Sequence, residues 1–184
     1  MTNYDIENEL KSSLGSDEKL IWTGKPKTGI MFRGSDAFLI PFSLLWCGFA
    51  LFWETTVILT DAPFFFKLWG IPFVLVGIYM TVGRFFVDAK KRANTIYGIT
   101  PDRIIIKTGI FSRETKSLNI RTLSDITFNQ KADNSGTITL GPTDFRYAMM
   151  QGIEWPGVKQ QPGLECIEDV KNVYDKIIDL QRQK

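Results

Sequence analysis

The chain has 184 residues, two cysteines and no histidine, and its 22 basic and 20 acidic residues leave a formal net charge of +2. That length holds a membrane-sized segment and one small domain of about 100 residues. The missing histidine removes the usual general base, metal ligand and physiological pH switch, and so small a net charge argues against a nucleic-acid partner.

Met1–Gly15 is acidic, poor in apolar residues and without the basic start, apolar run and small-residue cleavage site of a signal peptide, so it reads as a frayed or weakly helical cytoplasmic tail. Leu20–Trp22 is a brief apolar run stopped by Thr23-Gly24. It fits a short strand docking on the soluble part, or an interfacial segment with Trp22 at headgroup level.

Ala37–Trp53 carries no charge, nor does Leu68–Gly83. Spanning a bilayer takes about 20 apolar residues. Each run reaches that length with its flanks, giving helices at about 37–59 and 64–87, with Lys67 and Arg84 snorkelling to the headgroups. Ser43, Cys47 and Ala50 on the first, and Gly70 and Gly77 on the second, are small residues over which two antiparallel helices pack closely. Glu54 and Asp61 are read as lying at helix ends in the turn, where water reaches them, with Asp61 as an N-cap for the second helix. Basic residues flank the pair (Lys25, Lys27, Arg33, then Arg84, Lys90, Lys91, Arg92) and are absent from Glu54 to Phe66. The positive-inside rule therefore puts both termini in the cytoplasm of a multi-pass membrane protein. Lys90, Lys91 and Arg92 are the candidate lipid-surface contacts, each worth about 1 kcal/mol near anionic headgroups. The alternative reading of the triplet is a plain topology determinant.

From Ala93 the pattern alternates. Thr95–Thr100 and Arg103–Lys107 read as a hairpin turning at Pro101-Asp102, followed by short strands at Ile110–Arg113, Lys116–Ile120, Ser124–Asn129 and Thr137–Leu140. Thr143–Gly163 is irregular. Leu164–Arg182 reads as one amphipathic helix. The expected fold is α+β in three parts: an N-terminal segment (1–36), a transmembrane hairpin (37–88), and a bent antiparallel sheet or barrel capped by a C-terminal helix (93–184). Cys47 and Cys166 are small packing residues, and the spacing offers no metal site.

TIYGITPDRIII (Thr95–Ile106), SLNIRTLSDI (Ser117–Ile126), GTITLG (Gly136–Gly141), the upstream DEKLIWTGKP and the closing IEDVKNVYDKI occur in this order after a basic triplet and two apolar helices. In that order they resemble bacterial PH-like domain proteins with two transmembrane segments. The resemblance implies a PH-like sheet and helix, no enzyme activity and no cofactor. The first hairpin turn holds one base and one acid, so it offers no inositol-phosphate clamp. The expected function is that of a membrane-anchored scaffold recognising a protein partner, membrane-bound or cytoplasmic, or an anionic lipid surface. Phe145, Tyr147 and Trp155 are candidate partner contacts, and a homo-oligomer is left open. The alternative is an accessory subunit of a membrane transporter or membrane enzyme complex.

Overall fold

A computed structural model describes residues 3–110, 113–142 and 161–183. Those residues form two compact units. One holds 3–29, 89–142 and 161–183, and the other holds Ile30–Asp88.

The first unit mixes helix and sheet. Strands β1 (Trp22–Gly24), β2 (Ile96–Ile99), β3 (Arg103–Thr108) and β4 (Glu114–Asn119) make one antiparallel sheet in that order. Strands β5 (Ile126–Gln130), β6 (Gly136–Leu140) and β7 (Gly163–Ile167) make a second. Among the described residues the two sheets stay separate, so the single sheet or barrel expected from the strand series is not closed. A 3-10 turn at Ile120–Thr122 separates β4 from β5 along the chain, cutting short the strand expected over Lys116–Ile120. The C-terminal helix is also shorter than its periodicity predicts. Leu164–Ile167 is strand β7, paired with β6, and Asp169 turns left-handed before the helix starts at Val170.

Between the sheets and that helix lies the main core, built from Ile99, Ile104, Ile106, Ile138, Leu164 and Ile177 with their neighbours. β3 is a continuous isoleucine run because it is covered on both faces. Ile104 and Ile106 enter the main core, whereas Ile105 points the other way and is fully buried against Ile6 and Leu10. Those two come from helix α1 (Asn3–Lys11). The N-terminal segment, expected to be a frayed or weakly helical tail, is thus the cover for the outer face of the first sheet. Each such buried side chain contributes about 1.5–3 kcal/mol. Gly98 lets α1 approach: a Cβ there would sit 3.0 Å from Leu10.

The second unit is helical. Helix α2 (Asp36–Leu59) is followed by α3 (Phe64–Ile78), a π turn at Tyr79–Gly83 and α4 (Arg84–Ala93). The helical runs Asp36–Leu59 and Phe64–Ala93 are long and apolar enough to cross a bilayer, by length and composition. The small-residue faces meet: a Cβ on Gly77 would lie 2.9 Å from Cys47 Cα, and Thr81 Oγ1 donates to Ser43 O at 3.2 Å. Glu54 is not at a helix end. It lies inside α2, and one carboxylate oxygen is buried against Gly70 with no hydrogen-bond partner. Asp61 is fully exposed in the turn, and the N-cap position of α3 is Pro63, with no side-chain cap. Near the start of α2, Asp36 pairs with Arg84 at 2.6 Å and Arg33 with Asp88 at 3.0 Å, all four largely buried.

Along the chain, the helical unit is an insertion between β1 and β2. Its two ends meet within the first unit: Arg92, at the end of α4, donates from Nη2 to Gly29 O at 2.6 Å.

Candidate binding cleft

After β1 the chain runs on as Lys25–Thr28, and this stretch is one wall of a cleft of about 610 Å³. Gly24 has no room for a side chain: one there would strike the Trp22 indole, 2.3 Å from the ideal Cβ position. The opposite wall is the corner between β7 and the C-terminal helix α5 (Val170–Arg182), which contributes Glu168, Asp169, Asn172 and Lys176. Cys166 and Asp169 both take left-handed backbone angles (φ 52° and 51°), so the corner is held in a conformation non-glycine residues rarely adopt.

Lys27 fixes the first wall through three contacts. Its N–H donates to Cys166 O at 2.8 Å, its Nζ pairs with Asp133 at 2.7 Å, and its carbonyl accepts from Arg92 Nη1 at 2.8 Å. Asp133 sits in the turn after β5, where it also accepts from Ser135 Oγ at 2.6 Å and Ser135 N at 3.1 Å. The Lys27 ammonium first, then the Ser135 donors, hold the Asp133 carboxyl well below the usual carboxylate range. In return Asp133 raises Lys27 above the ordinary lysine value.

The cleft is therefore balanced in charge. Lys27 is matched by Asp133, and Lys25 and Lys176 stand with Glu168 and Asp169. Such a lining suits a ligand that both donates and accepts hydrogen bonds, such as a peptide backbone. It does not suit a multiply charged anion, which needs concentrated positive charge.

The basic triplet divides. Lys90 is exposed and Lys91 half-buried, but Arg92 is 4% exposed. Arg92, expected as a lipid contact from its place in the triplet, is turned inward: its two terminal guanidinium nitrogens donate to the carbonyls of Lys27 and Gly29. It is a positioning residue for the cleft wall. Arg92→Gln should lower stability by about 1–3 kcal/mol, because two carbonyls lose a charged donor. Lys90→Gln should change it by less than about 0.5 kcal/mol. Denaturation midpoints of the two variants check this, and equal effects would contradict it.

Phe145, Tyr147 and Trp155 lie outside the described residues, as does the rest of 143–160. Lys27 and Asp133 do not stand out as a pair in the sequence, because 106 positions separate them. The available signal was weak: a lysine after a strand, and Asp-Asn-Ser-Gly turn chemistry. In the helical unit a second cavity of about 230 Å³ is lined by Trp46, Phe49, Ala50, Trp53, Trp69 and Phe73.

A family model described as Bacterial PH domain matches residues 39–179. No curated protein and no solved structure matched the chain.

Proposed function

The chain belongs to the bacterial PH domain family, and on that premise we propose that it is a non-catalytic, membrane-anchored module that binds a protein partner at the cytoplasmic face. The helical insertion spans the bilayer as a hairpin, and both termini are cytoplasmic. Anchoring in the plane of the membrane raises the effective concentration of the PH domain for neighbours there. The observation that carries this reading is the charge-balanced, rigidly walled cleft, with Lys27 held by Cys166, Asp133 and Arg92. Anionic lipid as the main ligand is less favoured, because Arg92 is turned inward and the exposed remainder of the triplet is small.

A photo-crosslinking residue in place of Asn172 tests the proposal in cells. Crosslinks to a discrete protein, weakened by Lys176→Glu, support it. Crosslinks to lipid alone would overturn it. A reporter fused after Lys184 that is active only outside the cell would overturn the orientation.

A further inference from the structure

The two sheets leave four outer edges: β1, β4, β5 and β7. Three are managed. β1 has three residues. The edge of β7 is met by Lys27 N–H at Cys166 O, while Tyr97 Oη takes the Glu165 N–H. β4 carries Glu114 and Lys116, charges of the kind that guard edges. β5 (ITFNQ) has neither charge nor proline and is largely exposed.

Its register shows which backbone groups face outward. Gly141 N bonds Asp125 O and Lys131 N bonds Ser135 O, at the two ends of the β5–β6 ladder. In an antiparallel pair the bonded positions alternate. Asp125, Thr127, Asn129 and Lys131 therefore face β6, and the N–H and C=O groups of Ile126, Phe128 and Gln130 point to the open side. Among the described residues no strand meets them.

We propose that this edge is a dimer interface, on which a second copy of the chain pairs antiparallel about a two-fold axis through Phe128. The edge is complementary to itself in that register. Phe128 meets Phe128 of the second copy, and Ile126 meets Gln130, so every outward position faces an outward position. The same register sets Asp125 opposite Lys131 at both ends, and both are exposed. Thr127 falls opposite Asn129, so no like charges oppose. Phe128 already packs against Tyr174 of α5, the rings tilted by 39° with centroids 4.6 Å apart, which holds the centre of the edge in place. A two-fold contact of this kind closes on itself and stops at the dimer. It does not depend on what the cleft binds.

The full chain in density-matched detergent, followed by sedimentation equilibrium, tests this. The wild type should dimerise. Lys131→Glu, which sets carboxylates against each other at both ends, should weaken association by about tenfold or more. Adding Asp125→Lys to Lys131→Glu should restore it. Both positions lie outside the core, so folding is unaffected. Hydrogen exchange at Ile126, Phe128 and Gln130 should be slow in the dimer and fast in Lys131→Glu. A monomeric wild type, a dimer indifferent to Lys131→Glu, or a double variant that stays weak would each overturn the proposal. So would slow exchange at these amides in a monomer, which would mean that some other segment or partner occupies the edge.

Discussion

A chain in which a short Gly/Ser linker joins Gly29 to Ala89 should fold as a soluble domain, whereas the fragment 93–184 should not fold at all. The difference lies in what comes before the helical insertion. β1 pairs with β2 from Trp22↔Ile99 to Gly24↔Tyr97, so removing it bares the edge of the first sheet. α1 supplies Ile6 and Leu10, 1% and 0% exposed, against Ile96 and Ile105. Losing four such buried faces at about 1.5–3 kcal/mol each consumes most of the 5–15 kcal/mol that stabilises a typical domain. The linker can be short because Arg92 already holds Gly29 at 2.6 Å, and adjacent ends are where domains tolerate insertion and excision. Far-UV circular dichroism and urea denaturation of both chains decide the matter. A cooperative transition in 93–184 at the same midpoint as in the joined chain would show that α1 and β1 are dispensable.

That contrast also marks how far the sequence could be read. The two long apolar helices were legible because Ala37–Trp53 and Leu68–Gly83 carry no charge, and helical runs extend past both to a length that could cross a bilayer. β2 and β3 were legible from β-branched runs around Pro101-Asp102. α1 was not, because only Ile6 and Leu10 mark its apolar face in a short acidic segment. The three isoleucines of β3 were the better clue: a strand buried on both faces demands a cover, and nothing after Ala93 was left to supply it. β7 was hidden because Leu164 and Ile167 extend the helical spacing of Val170, Val173 and Ile177, and only the left-handed turn at Asp169 separates them. For the cleft, residue types near Lys90–Arg92 showed positive charge. They could not show that Arg92 points at backbone carbonyls, since that depends on where Lys27 and Gly29 lie in the fold.

Acid should weaken the joined chain through one ion pair in particular. Glu18 takes Arg103 in a two-pronged contact, Nε to Oε1 at 2.8 Å and Nη2 to Oε2 at 2.5 Å, and also accepts from Thr100 Oγ1 and Gly15 N. Arg103 foremost, with those added donors, pulls the Glu18 carboxyl from 4.5 down to about 2. A folded-state pKa below the unfolded one means that the unfolded chain binds the proton first. The contribution is therefore complete above about pH 4.5 and is lost as pH falls toward 2. Arg103 is partly open to water, with a third of its side chain exposed. Screening then leaves about 1–2 kcal/mol, less than the shift alone would imply. Glu18→Gln should cost that amount at pH 7 and almost nothing at pH 2, so the two stability curves converge in acid. The variant keeps part of the slope, because Asp133 against Lys27 titrates in the same sense. Parallel curves for wild type and variant from pH 7 to 2 would mean that the contact is geometric only, and that the loop from Ser13 to Glu18 is held to β3 by Arg103 Nη2 at Ser13 O instead.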